Sequence, residues 1–209
     1  MRLGIFGGTF NPVHIGHLRA CEEVRELLDL DRVVFVPSCL PPHKDLDGGV
    51  EGAQRLEIVR LSLKDNPHFE VSSFEVERPG SSYSIHTIEH MRRMYGCTPH
   101  FILGRDAFNE ISTWYEAPRL FDLAHFVVMS RPDAPGRPLE DVLGSSAARF
   151  RRTGRGFANE LGNEIVFVDV TAYAVSSSQI RDLCRQGKSI RYLVAGDAHA
   201  YITRERIYS

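Results

Sequence analysis

An open α/β sheet of the doubly wound type, mainly parallel and with helices on both faces, is the fold class this sequence predicts. Three observations point to it. Short apolar runs rich in β-branched and aromatic residues recur at Leu3 to Phe6, Val33 to Val36, His100 to Leu103, Phe126 to Met129 and Ile165 to Val168. Helical periodicity fills most of the intervals between them. The first unit reads strand, glycine-rich turn, helix, strand, which requires a right-handed crossover between parallel strands. Ligands of such sheets bind beyond the carboxyl ends of the strands, where Gly7, Pro37, Gly104 and Ser130 fall.

The opening strand, Leu3-Gly4-Ile5-Phe6, runs into Gly7 and Gly8, then Thr9, Phe10, Asn11 and Pro12, a set that favours a turn. From Ile15 the pattern is helical, with Ile15, Leu18, Val24, Leu27 and Leu28 close to one face. Glycines that admit a close backbone approach, followed by a helix N-terminus with its unpaired N–H groups and partial positive charge, form a ready anion site. His14 and His17, three apart, project to one side of that helix start, and Gly16 between them leaves room for a ligand. Two imidazoles placed so can donate hydrogen bonds to oxygens that gain charge in a transition state.

After the second strand, Ser38 to Gly52 reads as a polar loop carrying Pro41-Pro42-His43-Lys44. Ala53 to Leu63 reads as a helix with Leu56, Val59 and Leu63 inward and Arg55 and Arg60 outward. Phe69-Glu70-Val71 and Phe74-Glu75-Val76 read as short strands, and a helix follows Ser82-Tyr83-Ser84 to about Tyr95. Gly104-Arg105-Asp106 closes the next strand ahead of a helical segment with Phe108, Ile111 and Trp114. The stretch from about 132 to 162, with early prolines and later arginines, is expected as an irregular solvated insertion. A basic lid or an oligomer contact is the sharper alternative for it. Ser176-Ser177-Ser178 precedes an apolar-periodic helix, supplying a cap and hydroxyl donors at a second helix N-terminus, with Arg181 one turn inside.

Composition bounds the possibilities. With 209 residues, 43% hydrophobic and 25% charged, the chain is long enough for one sizeable core, and one domain over 1–209 is expected. A net charge of -2 gives no reason to expect nucleic acid or a membrane surface as partner. Met1-Arg2-Leu3-Gly4 leads straight into the first strand, so no signal peptide is expected, and the apolar runs are too short to span a bilayer. Cys21, Cys39, Cys97 and Cys184 form no CxxC, which suits a reducing cytoplasm rather than a disulfide framework. His14, His17 and His43 lack a carboxylate or Cys to complete a zinc set, and no protein-built metal site is expected. Gly187-Lys188-Ser189 resembles the end of a Walker A loop, but Asp182 stands where its first glycine belongs, so the string reads as a helix C-terminus.

Gly7-Gly8-Thr9-Phe10-Asn11-Pro12 followed by His14-x-Gly16-His17 resembles the signature of the HxGH nucleotidyltransferase superfamily, whose fold is a Rossmann-like domain. The Asn-Pro form of the turn is most similar to the bacterial nicotinate-nucleotide adenylyltransferases. Val175-Ser176-Ser177-Ser178-Gln179-Ile180-Arg181 resembles the superfamily's second signature, ISSTxIR. Pro41-Pro42-His43-Lys44, Ser82-Tyr83-Ser84 and Thr113-Trp114-Tyr115 resemble the PPHK, SYT and TWY segments of the nicotinate branch. The resemblance implies transfer of the adenylyl group of ATP to nicotinate mononucleotide, giving deamido-NAD and pyrophosphate, with Mg²⁺ bridging the phosphates.

The resemblance also implies roles. His14, His17, Lys44 and Arg181 would do the catalytic work; Gly7, Gly8, Thr9, Phe10, Gly16, Gly104, Asp106, Ser176, Ser177 and Ser178 would bind ATP. Backbone groups of Tyr83 and Ser84 would receive the pyridine carboxylate, which a helix N-terminus suits better than it suits an amide, and Trp114 would stack on the pyridine ring. Arg55 is similar to the arginine that opens the corresponding helix of the family, with an indirect role. Two positions depart from the pattern: Arg105 where the family has a small residue, and His86 where it has Asp. The sister pantetheine-phosphate adenylyltransferases usually show Asp at the position of Asn11, which separates them from this chain. Oligomeric state is not readable from the sequence.

Overall fold

The computed structural model describes residues 1–39, 50–78, 80–130 and 136–209. In chain order its elements are β1 (Leu3–Gly8), α1 (Ile15–Leu27), β2 (Arg32–Pro37), α2 (Gly52–Leu63), β3 (Phe69–Val71), α3 (Phe74–Glu77), α4 (Ser84–Tyr95), β4 (His100–Gly104) and α5 (Arg105–Asn109). A 3₁₀ turn at Ile111–Thr113 leads to α6 (Ala117–Leu123), β5 (His125–Ser130) and α7 (Leu139–Leu143). A second 3₁₀ stretch, Gly144–Arg149, precedes β6 (Phe150–Thr153), β7 (Gly156–Asn159), β8 (Glu164–Asp169), α8 (Ser177–Arg185) and α9 (Gly196–Arg204).

The strands form one sheet in the order β3-β2-β1-β4-β5-β8-β7-β6. The pairings from β3 through β8 are parallel, while β7 pairs antiparallel with both β8 and β6. Strand order reverses between β1 and β4, and that switch point is where a ligand crevice opens in folds of this kind. Side chains of alternate strand residues feed two separate cores. Phe6, Val33, Phe35, Ile102 and Val127 pack under Cys21 and Val24 of α1, Ile58 and Val59 of α2, Ile180 of α8 and Ile202 of α9. Leu3, Ile5, Val34, Val36, Phe101 and Phe126 pack under Ile88 and Met91 of α4, Phe108 of α5 and Leu120 of α6. The period of two along each strand is what allows one buried run to serve both faces. Gly4 keeps the first face open, since a Cβ there would meet Leu30, Ile102 and Val33 at 3.0 to 3.1 Å.

Several expectations from the sequence are corrected. Phe74-Glu75-Val76 is not a strand but the body of α3. The Ser72 hydroxyl accepts from the Phe74 N–H at 3.2 Å, and Glu77 N–H bonds the Ser73 carbonyl at 2.9 Å, so serine turn chemistry outweighs the β-propensity of Phe and Val. On α2 the buried stripe is Arg55, Ile58, Val59 and Leu63, while Leu56 is only half-buried. Arg55, expected outward, is fully buried. Leu27 of α1, expected on the inner face, is exposed. The single helical segment expected around Phe108 and Trp114 is split into α5 and the 3₁₀ turn, with Trp114 just past its end.

The described part of the stretch from about 132 to 162 is not an irregular solvated insertion either. It contains α7 and the β6–β7 hairpin, which extends the sheet beyond β8. Phe150 packs edge-on against Phe121 (centroids 5.4 Å apart) and Phe157 against Phe167 (6.3 Å), so apolar anchors dock the hairpin. Arg149 pairs with Asp122 of α6, whereas Arg151, Arg152 and Arg155 are exposed.

Candidate active site

The turn after β1 is held by its carbonyl groups. Arg55 Nη1 donates to the Thr9 carbonyl at 2.6 Å, Arg181 Nη1 to the Asn11 carbonyl at 2.8 Å, and Ser177 Oγ to the Pro12 carbonyl at 2.8 Å. Ser177 and Arg181 lie on α8, so the two signature segments, some 165 residues apart in sequence, are in direct contact. Gly7 and Gly8 stand at the end of β1, paired with Val36 and Pro37. A Cβ at Gly8 would meet the Phe10 ring at 3.0 Å, whereas at Gly7 it would meet only Phe101 at 3.6 Å. Of the pair, Gly8 is therefore the sterically required one.

Phe10 sits at φ 46°, in the left-handed region that a bulky residue seldom occupies. Its ring is buried against Phe6 (5.4 Å), His17 (5.5 Å) and Phe35 (5.8 Å). The Phe10 side chain thus belongs to the core, which leaves only its backbone for the turn.

His14 precedes α1 as its N-cap, and His17 lies in the first turn. Their rings stack with centroids 3.7 Å apart. The His14 N–H donates to His17 Nδ1 at 3.3 Å, which leaves the His17 ring proton on Nε2. Burial, with the facing His14 as a second cause, lowers the His17 pKa to about 3, so the ring is neutral. A Cβ at Gly16 would come within 3.1 Å of His14 Nδ1 and 3.2 Å of Val175, so the glycine is what allows the His14 ring to lie where it does. Two N–H groups of the helix start are taken: His17 donates to the His14 carbonyl at 2.9 Å, and Ile15 donates to the Leu193 carbonyl at 3.0 Å, a bond from the far end of the chain that the sequence does not announce.

At α8, Ser176 is the cap expected, its Oγ accepting from the Gln179 N–H at 3.2 Å. Ser176 and Ser178 are exposed and Ser177 is half-buried. Gly104 caps α5, and Asp106 in the first turn is exposed at the carboxyl end of β4. Arg105 donates to Ser130 Oγ at 3.2 and 2.6 Å and lies over the Phe167 ring at 4.7 Å, so this departure from the family pattern ties the ends of β4, β5 and β8. Lys44 lies outside the described residues.

On the opposite face of the sheet, Tyr83 is the N-cap of α4 and Ser84 its first residue, and no acidic side chain occupies the first turn. Trp114 packs edge-on against Phe101 with centroids 6.1 Å apart. Tyr83 meets Tyr115 at 4.7 Å, and His86, the second departure, is tilted near both tyrosines. Tyr83 and Trp114 both pack at the margin of the core beneath α4. Behind them, the carboxyl of Glu75 accepts from Thr87 and from Ser82, and burial raises its pKa. Sequence reasoning missed Arg55 as an inward residue, although its spacing of three and four from Ile58 and Val59 was a readable signal.

Among the described residues no group of three His, Cys, Asp or Glu could hold a metal ion, and no helix is long and apolar enough to cross a membrane.

A family model described as cytidylyltransferase-like matches residues 5–183. A probable nicotinate-nucleotide adenylyltransferase of Geotalea daltonii is 44% identical over 213 residues, covering 100% of this chain and 99% of the relative. One from Syntrophotalea carbinolica is 40% identical, covering 100% and 97%. Among solved structures, a Plasmodium falciparum nicotinic acid mononucleotide adenylyltransferase complexed with NaAD superposes with a TM-score of 0.73 over 99% of this chain and 97% of that one. At 15% identity that likeness speaks to the fold, an α/β sheet flanked by helices.

Proposed function

We propose, from the premise that this chain belongs to the cytidylyltransferase-like family and, within it, to the nicotinate-nucleotide adenylyltransferases, that it transfers the adenylyl group of ATP to nicotinate mononucleotide. The products are deamido-NAD and pyrophosphate, a step of NAD biosynthesis. The single observation that carries the placement of this chemistry is the clamp of Ser177 and Arg181 on the carbonyls of Pro12 and Asn11, which joins the two signature segments at the switch point of the sheet.

An ionised phosphate oxygen of the acceptor attacks the α-phosphorus of ATP in line, so no side chain has to serve as nucleophile. Catalysis then consists of positioning and charge stabilisation. His17 donates from Nε2 to the α-phosphate as charge builds there, and its bond from the His14 N–H supports that tautomer. His14 and the turn of Gly7, Gly8, Thr9 and Phe10 hold the triphosphate through their donors, with Gly16 giving the approach. Arg181 and Lys44 neutralise the leaving pyrophosphate, and Ser176, Ser177 and Ser178 hold the start of α8 against it. Gly104 and Asp106 meet the ribose side of ATP. On the acceptor side, the α4 N-terminus at Tyr83 and Ser84 receives the pyridine carboxylate, and the Trp114 ring packs on the pyridine.

The residues suit Mg²⁺ that would arrive on ATP: Asp106, an exposed carboxylate at the rim, would hold it, with no protein-built cage required. When bound, the ion supplies charge neutralisation of the triphosphate. Residues 1–209 act as one nucleotidyltransferase domain in the cytoplasm, where the free cysteines stay reduced.

The test is pyrophosphate release from Mg-ATP with nicotinate mononucleotide, run beside nicotinamide mononucleotide and phosphopantetheine. Strong preference for the nicotinate acceptor is expected. Equal or better turnover with either alternative sinks the acceptor assignment.

A further inference from the structure

Arg55 is the largest side chain in the fully buried set, and its surroundings are unusual for a cation. Among the described residues no carboxylate pairs with it. Its two hydrogen-bond partners among those residues are both backbone carbonyls, and among them Nε has none. Burial accordingly pulls its pKa down. Holding a guanidinium away from water without a counter-ion is costly, and an apolar side chain on the same stripe as Ile58 and Val59 would avoid that penalty. Stability alone does not explain an arginine here.

Its two bonds run to different parts of the site. Nη1 donates to the Thr9 carbonyl at 2.6 Å, in the turn after β1, and Nη2 donates to the Cys39 carbonyl at 3.0 Å, beyond the end of β2. The same Cys39 residue donates its N–H to Ser82 Oγ at 3.0 Å, and Ser82 bonds onward to the Glu75 carboxyl. Ser82 adjoins Tyr83 and Ser84 at the start of α4. A continuous chain of hydrogen bonds therefore leads from the glycine turn, through Arg55 and the backbone of Cys39, to the loop that opens α4. Arg55 has the geometry for this because a planar fork fixes two carbonyls at a set separation and angle, whereas an ammonium does not.

We propose that Arg55 is a positioning residue that sets the distance between the turn receiving ATP and the loop receiving the acceptor, acting through Thr9 on one side and through Cys39 and Ser82 on the other. The proposal rests on the adenylyl-transfer reading above. In-line transfer between two bound substrates is sensitive to displacements of about 1 Å, so a misplaced loop lowers turnover more than it lowers the binding of either substrate alone.

The experiment compares the wild-type chain with Arg55→Lys, Ser82→Ala and the double variant. It measures kcat by deamido-NAD formation, single-substrate Kd by calorimetry, and Tm. Arg55→Lys, which keeps the charge and loses the fork, is expected to lower kcat at least about 30-fold while each single-substrate Kd moves less than about 3-fold. Ser82→Ala is expected to lower kcat about 3- to 10-fold with Tm within a few degrees, and the double variant to be no worse than Arg55→Lys, because both act on one chain of bonds. A fall in Tm with kcat retained below the transition overturns the proposal, as does a raised ATP Kd at unchanged kcat, or multiplication of the two single effects. If Arg55→Lys does not fold, Ser82→Ala decides: lowered kcat at near-native Tm supports the proposal, and unchanged kcat overturns it. A wild-type chain that forms no deamido-NAD overturns the underlying reaction as well, and that failure appears in the wild-type arm before any variant is made.

Discussion

The imidazoles of His14 and His17 stack with centroids 3.7 Å apart and ring planes 28° apart, one cap residue over one first-turn residue of the same helix. Stacked so, the two rings cannot both become cationic without repulsion. Burial and the facing His14 ring lower the pKa of His17 to about 3. In the unfolded chain it takes up a proton near its ordinary value of 6.5. Between these two values the unfolded state binds more protons, so stability is full above about pH 6.5 and is lost as pH falls towards 3. His100, lowered to about 4 by burial and by the facing His125, acts in the same direction. Chemical denaturation from pH 8 to 4 is expected to show this decline, with a shallower slope in His17→Asn. An unchanged slope in that variant would show that the ring is not held neutral.

On the proposed reading His17 presents a neutral donor to the α-phosphate, a contact that matters most when charge builds there. His17→Ala is expected to reduce kcat by about two to three orders of magnitude while ATP Kd changes only a few-fold. Steady-state kinetics with calorimetry separates the two, and equal losses in both would reassign His17 to ground-state binding.

Gly16 lies inside α1, where alanine would ordinarily stabilise a helix by about 1 kcal/mol. Here the added methyl would stand 3.1 Å from His14 Nδ1 and 3.2 Å from Val175. Gly16→Ala is expected to displace the His14 ring, lowering kcat about 10-fold or more, with no gain in Tm. A stabilised variant of full activity would show that the ring position is not needed.

Gly156 in β7 has φ 153°, and a Cβ there would lie 2.0 Å from the Ile165 carbonyl oxygen across the β7–β8 pairing. Gly156→Ala is expected to lower stability by about 3 kcal/mol or more through this clash and the strained backbone. The hairpin is far from the phosphate turn along the sheet, so kcat per folded molecule should hold. Denaturant melts that match wild type would mean that the β6–β7 hairpin is dispensable to the sheet.

Much of this was legible in the sequence because it is local. A buried strand announces itself by its apolar run, a crossover by the helix between two strands, and an anion site by glycines followed by a helix start. All of these depend on residues within one strand or helix or on adjacent elements, so the parallel strands, the histidine pair and the serine cap could be read from local pattern and spacing. Family membership was legible for the same reason, since its signatures are short strings.

What only the tertiary structure decided are contacts between segments remote in sequence. Arg55 reads as a surface residue until the carbonyls of Thr9 and Cys39 arrive to receive its fork. The Phe10 ring reads as part of a turn until Phe6, Phe35 and His17 enclose it in the core. Phe150 and Phe157 read as part of an irregular loop until Phe121 and Phe167 supply the surface that orders the hairpin. In each case the local preference is worth a fraction of a kcal/mol to about 1 kcal/mol, and apolar burial or hydrogen bonds to remote carbonyls outweigh it. The sequence by itself determined the parallel strands, their crossovers and the residue types of the candidate site; packing across the chain added the hairpin strands and decided which of those residues are buried and which exposed.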